Sequence, residues 1–556
     1  MRTAVERLRV PLAFWVAFVA IRFVVGGFGD VRLGPDDLTR LAQIDALLDG
    51  QGWWDLTMYR LGVDGVAMHW TRHVDALFLV LGGGVDALRP IALVVLPLLL
   101  ALGLFVAVGL VADAVGGREA VFASLLLLLA SVLTAVQFSP GRIDHHGLQI
   151  VLVLLAVVGL VRLERPGWAA GGGLALGLSL SIGMEQALVA AGIMLGVAMV
   201  VLGRGVPRAS TDRFAGGLIA GTLVGALGFA PPSRLVQVAC DVFSAQHVVV
   251  VVGAAVGLLV VSRVSRPAFG LLGPWALAGA AGIAVAPRCL DPYADVAPLL
   301  RAAWLPRVSE AGSLLDVLSS RPGSGLAVLV PAAVAVSYVL HRWARSSWSA
   351  DGLGRLVPVL VLAFGGAFIQ LRSASAATAI GAIALGVAFM DLRGRLLGWA
   401  VLPRVVVMAL VAVVISGVGP LIVGASLDGD DGEGGVGLAA ECASGLAAIG
   451  PGEVVAAPMD LGPRLLHGTD AQVLAGPYHR NGEGNLLAWE VLGAPLDAGR
   501  LTGVDWVVVC EGQPELTIIE AEFGPGLLGD LLDGNVPDAL EPVGTDEGLL
   551  LYRIRG

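Results

Sequence analysis

The chain has 556 residues, of which 56% are apolar and only 14% are charged. Soluble domains run at about a quarter charged, so this composition reads as a polytopic membrane protein and excludes a cytosolic enzyme, a nucleic-acid binder and a disordered scaffold. The formal net charge of -10 divides unevenly: from Asp428 onward 22 acids face 5 Arg, a net of -17, and the preceding body carries 30 Arg against 23 acids, a net of +7. That division predicts a hydrophobic transmembrane body over residues 1–425 and an acidic, water-soluble domain over 426–556.

A helix needs about 20 apolar residues to cross a bilayer core. Windows of that length predict about thirteen transmembrane helices, centred near residues 20, 102, 128, 155, 176, 194, 222, 254, 278, 332, 362, 382 and 414. The first apolar run, Pro11 to Phe28, is followed by charge instead of a small-residue cleavage site, so it reads as a retained helix and not a signal peptide. Arginine placement sets the orientation. With the N-terminus cytoplasmic, the short inner loops hold 17 Arg and seven acids. The longer loops 29–90, 138–147, 231–247 and 287–322, and the whole tail, then face outward. This predicts a multi-pass protein of the inner (cytoplasmic) membrane with a periplasmic or extracellular C-terminal domain.

Seven of the eight histidines (His69, His73, His145, His146, His247, His467, His479) fall on the outer face, and only His341 on the inner. All four cysteines are also outside. An even set in an oxidising compartment predicts two disulfides, paired by proximity as Cys240–Cys289 and Cys442–Cys510; four buried free thiols are the alternative.

The outer loops concentrate the polar chemistry. The first opens with Gly34-Pro35-Asp36-Asp37 and runs through Trp53-Trp54-Asp55 and Met58-Tyr59-Arg60 to His69. Adjacent carboxylates near lipid point to a cation or to a base that must stay ionised, although Pro-Asp-Asp is also a good helix start. In the second loop, Asp144 and His146 at i, i+2 can aim at one ion from an extended segment, and carboxylate plus imidazole suits Mn²⁺ or a related divalent metal. Glu185, at an outer hairpin, is either functional or a cap of that hairpin. Glu310, in Val308-Ser309-Glu310, lies in a loop long enough to fold over the membrane surface. Arg372, with no acid near it in sequence, is a natural partner for a lipid phosphate.

In this order and on this face, these segments resemble the catalytic subunit family of oligosaccharyltransferases, within the GT-C class of membrane glycosyltransferases. Asp36/Asp37 are similar to its first acidic motif and Asp144-His145-His146 to its second, in the Asp-x-His form. Trp53-Trp54-Asp55 with Met58–Gly62 is similar to the aromatic stretch of its first loop. Val308-Ser309-Glu310 resembles its fifth-loop motif, and Leu371-Arg372 its arginine after that loop. The resemblance covers about residues 10–425 and implies the thirteen-helix fold with an extracytoplasmic C-terminal domain. It also implies a polyprenyl-(pyro)phosphate-linked sugar or oligosaccharide donor and a divalent metal, Mn²⁺ or Mg²⁺, held by Asp36 or Asp37, Asp144 and His146. One first-loop carboxylate would double as the base, Glu310 would hold the acceptor, and Arg372 would bind the donor phosphate. The acceptor would be a protein, lipid or polysaccharide.

The family's C-terminal Trp-Trp-Asp-Tyr-Gly signature is absent. The tail reads as a small α/β domain with strands over 453–457, 472–475, 506–510 and 549–554 and a helical stretch near 438–449. Its most polar element is Gly476-Pro477-Tyr478-His479-Arg480-Asn481. Tyr478, His479 and Arg480, with His69, are candidate acceptor or glycan contacts; a plain strand-to-loop turn is the alternative. Two other readings compete: a GT-C enzyme moving a single sugar from a polyprenyl-phosphate carrier, and a transporter or flippase. Transporters keep ionisable groups near the midplane of broken helices, whereas here they collect in outer loops.

Overall fold

The computed structural model describes residues 4–26, 31, 33–203, 207–263, 278–280, 282–291, 293–294, 296–308, 312–345, 352–425, 442, 445–495, 502–546 and 548–555. The chain folds as two compact units, and neither is one continuous stretch. Unit 1 comprises Met1–Arg32, Trp70–Pro292 and Ser309–Asp428; unit 2 comprises Leu33–His69, Tyr293–Val308 and Gly429–Gly556.

Unit 1 is helical. Among the described residues, five helices are long and apolar enough to cross a membrane: Glu6–Val25, Arg89–Leu129, Met184–Leu202, Pro322–Arg345 and Leu371–Arg395. Shorter apolar helices accompany them at His146–Val161, Ala245–Val261, Gly354–Ala367 and Val401–Ile415. The expected spans near 102 and 128 share one 41-residue helical stretch, broken at Gly117, whose φ of 73° suits a residue without Cβ. The span expected near 278 falls largely outside the described residues. Helices Pro166–Ile182 and Arg208–Phe229 approach closely through glycine. A Cβ at Gly173 would overlap the Phe214 carbonyl oxygen, and one at Gly221 the Leu174 carbonyl oxygen. Small residues let apolar helices gain dispersion contacts where no hydrophobic driving force separates protein from lipid.

Unit 2 is built on a five-stranded sheet. Val454–Ala456 pairs in parallel with Gln472–Val473 on one side and Trp506–Cys510 on the other; Trp506–Cys510 pairs antiparallel with Leu549–Ile554, which pairs with Leu540–Asp546. Four of the strands match the expected ones. The fifth, Leu540–Asp546, has Pro542 and Gly544 in a register shift and lies at the sheet edge, where a missing N–H donor is tolerated. The helix expected near 438–449 lies outside the described residues apart from a short 3₁₀ turn, Leu446–Ala448. The first loop is part of this unit. Leu61 bridges in parallel to Val473, and Arg60 donates to the carbonyls of Thr469 (2.7 Å) and Leu466 (2.8 Å). Both disulfides form as expected, Cys240–Cys289 in unit 1 and Cys442–Cys510 in unit 2.

Beneath the sheet, Glu515 is buried and accepts hydrogen bonds from Trp489 Nε1 (2.6 Å) and the Asp460 N–H (3.3 Å). Burial, reinforced by the Asp460 charge, pushes its pKa up to about 7. A carboxyl raised on folding binds more protons folded than unfolded, so its stabilisation is complete below the usual carboxylate range and is lost as pH rises through about 7. The loss is on the order of 3 kcal/mol. The thermal stability of the purified protein is therefore expected to fall between pH 5 and pH 8, and Glu515→Gln to flatten that slope. A slope unchanged by Glu515→Gln would assign the dependence to another group.

Candidate active site

In unit 1, three segment ends bring ionisable side chains together. Asp144 precedes the helix His146–Val161 and its Oδ1 accepts the His146 N–H at 2.9 Å, satisfying one of the donors that a helix start leaves open. The same carboxylate pairs with Arg142 and is almost fully buried. Glu185 stands on the 3₁₀ turn Met184–Gln186 between the helices Pro166–Ile182 and Ala187–Leu202. Gln149 Nε2 donates to the carbonyls of Gly183 (3.0 Å) and Ser179 (3.4 Å) and fixes that hairpin. Arg372 stands on a third turn, Leu371–Ser373, whose Leu371 N–H donates to Gly312 O at 2.9 Å.

Glu185 is the centre of the cluster. Its Oε1 lies 3.0 Å from His145 Nε2 and accepts from Arg372 at 3.1 Å, and its Oε2 lies 3.4 Å from His146 Nδ1. The two imidazoles meet edge to face at 4.3 Å. One ligand atom each from His145, His146 and Glu185 lie within 4.8 Å of one another, the one such group of three among the described residues. Two imidazole nitrogens and a carboxylate oxygen form a donor set that fits a first-row divalent ion such as Mn²⁺ or Zn²⁺; Mg²⁺ prefers oxygen throughout.

Beside Arg372's turn is an apolar cavity of about 240 Å³ with Leu371, Leu127, Val132, Val317, Val328 and Leu385 in its wall.

Several predicted residues belong to unit 2. Asp36 and Asp37 open the helix Pro35–Leu48. Asp37 is fully buried and its Oδ2 accepts the Gly34 N–H at 2.9 Å, so it caps its own helix. Asp36 is partly exposed. Tyr478 is buried and its hydroxyl donates to Thr39 Oγ1 at 2.7 Å. Burial and the charge of Asp36 hold that phenol well above its ordinary pKa, so it stays a donor. His69 lies near both Tyr478 and His479, with ring centroids 6.1 and 5.5 Å apart, and Tyr293 meets His479 edge to face at 5.5 Å. The loop that carries these groups is fixed by Asn485, whose Oδ1 accepts from Gly476 N (3.0 Å) and Asn481 Nδ2 (2.8 Å). Arg480 donates to Ala67 O at 3.2 Å. Glu310 lies outside the described residues.

Two members of the unit 1 cluster were under-read from sequence. His145 is skipped by an Asp-x-His reading, because neighbours in an extended segment point to opposite sides. Here His145 has φ -82° and ψ -13°, the start of a helix, and both rings reach Glu185. Glu185 itself, left open between function and hairpin cap, gathers both imidazoles and Arg372; no local pattern marks this, because its partners are 39, 40 and 187 residues away.

No protein-family model matches the sequence, and no curated protein matches it. Solved structures do. The apo oligosaccharyltransferase of Archaeoglobus fulgidus superposes with a TM-score of 0.67 at 14% identity, covering 94% of this chain and 72% of that one. The archaeal oligosaccharyltransferase AglB from the same organism, in complex with an inhibitory peptide and a dolichol-phosphate, gives 0.66 at 14% identity over the same shares. A third structure of the Archaeoglobus fulgidus enzyme, complexed with Zn and sulfate, gives 0.64 at 15%, covering 94% of this chain and 70% of that one. The fold is that of an oligosaccharyltransferase, as the sequence resemblance implies.

Proposed function

We propose that this chain is a metal-dependent membrane glycosyltransferase that moves a glycan from a polyprenyl-(pyro)phosphate donor to an acceptor nucleophile on the outer face of the membrane. The observation that carries this reading is the convergence of His145, His146, Glu185 and Arg372 in a unit whose fold is shared with enzymes solved with dolichol-phosphate in one case and with Zn and sulfate in another. The apolar cavity beside Leu371 supports a lipid donor.

In this mechanism the acceptor heteroatom bonds to the anomeric carbon while the bond from that carbon to the lipid phosphate oxygen breaks. Negative charge develops on the departing phosphate. Arg372 exchanges its pairing with Glu185 for the phosphate and stabilises that charge with a planar, bidentate donor. His145, His146 and Glu185 would hold the divalent ion, with Asp144 fixing the start of the helix that carries His146. Bound there, such an ion supplies Lewis-acid stabilisation of phosphate oxygens. The acceptor's proton passes to a first-loop carboxylate, Asp36 or Asp37, a role assigned by the family resemblance alone. Glu310 is assigned the holding of the acceptor by the family resemblance alone. Without a Trp-Trp-Asp-Tyr-Gly signature, recognition of an Asn-x-Ser/Thr sequon is not part of this reading.

The test is mass spectrometry of envelope glycoconjugates and lipid-linked glycans in a strain lacking the gene. Lipid-linked donor should accumulate while one glycoconjugate disappears. Complementation with Asp144→Ala or His146→Ala is expected to leave that defect in place at normal protein level, and chelation of divalent ions to reproduce it in membranes. Full transfer by both variants would sink the assignment.

A further inference from the structure

A second site lies in unit 1, where the start of the first helix meets the break in the helical stretch Arg89–Leu129. Glu6, Arg7, Arg9, Asp113 and Arg118 line a cavity of about 390 Å³, and Val10 and Val121 complete its wall. Asp113 is shared by two cations, with Arg7 Nε at 3.8 Å and Arg162 Nη2 at 3.4 Å. Arg162 is further tied to Leu110 O at 2.9 Å. The nearest other acid in sequence, Glu119, is paired with Arg393 at 3.0 Å. The cavity wall therefore holds three arginines and two carboxylates, one of which, Asp113, is also paired with Arg162. Arg9 and Arg118 are exposed and, among the described residues, make no hydrogen bond or ion pair.

We propose that this cavity binds the phosphodiester headgroup of an anionic phospholipid, with Arg9, Arg118 and Arg7 on the phosphate and the valines against the glycerol and first acyl carbons. Three features favour this occupant. The wall carries a cationic excess of one, three arginines against two carboxylates, which one phosphodiester charge neutralises. The wall is part guanidinium and part aliphatic, which suits an amphiphile better than a free inorganic ion. Its arginines stand at helix ends that the distribution of Arg assigns to the membrane surface, where each basic residue near an anionic headgroup strengthens binding about five-fold.

Native mass spectrometry of the full-length protein, delipidated in detergent and titrated with cardiolipin, phosphatidylglycerol, phosphatidylcholine or inorganic phosphate, tests this. Cardiolipin and phosphatidylglycerol should be retained and phosphatidylcholine should not. Arg9→Gln with Arg118→Gln should lower retention about ten-fold or more, and Arg393→Gln, which removes a cation paired elsewhere, should leave it unchanged. Both altered side chains are exposed and unpaired among the described residues, so folding is preserved. Equal retention by the double variant would overturn the site. Retention of phosphate without any lipid would overturn the lipid as its occupant.

Discussion

Glu185→Gln is expected to lower glycan transfer by about two to three orders of magnitude, the scale seen when one electrostatic element of a charge-developing transition state is removed. The substitution keeps the shape of the side chain and its place on a hairpin fixed by Gln149 and Gly183. It removes a negative charge that faces His145 at 3.0 Å, His146 at 3.4 Å and Arg372 at 3.1 Å. Two consequences should separate. Bound divalent metal, measured by elemental analysis of the purified protein, should fall by more than the ten- to hundred-fold that loss of an outer-shell partner costs. Arg372, which keeps its guanidinium charge, should still bind donor phosphate, so the defect should appear in turnover more than in donor affinity. Arg372→Gln should show the opposite balance. Transfer by Glu185→Gln within a few-fold of the parent would remove this cluster from the chemistry.

The second large effect is on stability. Opening Cys442–Cys510, through Cys442→Ser with Cys510→Ser or by reductant, is expected to destabilise unit 2 by about 4 kcal/mol, because the bridge closes a loop with a sequence separation of 68 and its loss returns that loop's entropy to the unfolded chain. Domains are stable by only about 5–15 kcal/mol in total. The unfolding temperature should fall by about 10 °C or more. Both sulfurs are buried, and Cys510 ends the central strand Trp506–Cys510, so the bridge anchors the sheet at its most protected strand. A fall of under a degree would mean that packing alone holds the ends of this loop together.

The two effects bear on different levels of legibility. The strands Trp506–Cys510 and Leu549–Ile554 are as expected because each is a run of Val, Leu or aromatic residues bounded by polar turns. Leu540–Asp546 is not, because its Glu, Pro and Gly read as loop, and only its neighbour Leu549–Ile554 makes it a strand. The first loop reads from hydropathy as an appendage of the membrane body. Its membership of unit 2 rests on Arg60, Leu61 and Gly62 bonding to the backbone of residues 466–473, contacts about 410 residues apart in the chain.

Membrane character, charge division and the pairing of the cysteines were determined by the sequence alone. Each depends on what lies close along the chain: the apolar content of about 20 residues, the arginines in a short loop, the proximity of two cysteines in sequence. The site was decided by tertiary structure. Asp144, His146 and Arg372 stand out one by one, but which of them share an ion or a phosphate depends on how helices pack through glycines at Gly173 and Gly221 and where the hairpin at Glu185 is held. Packing brings Glu185 to His145 and Arg372 across 40 and 187 residues. No local sum along the chain contains that distance, because the free energy that fixes it comes from side chains that interdigitate between helices.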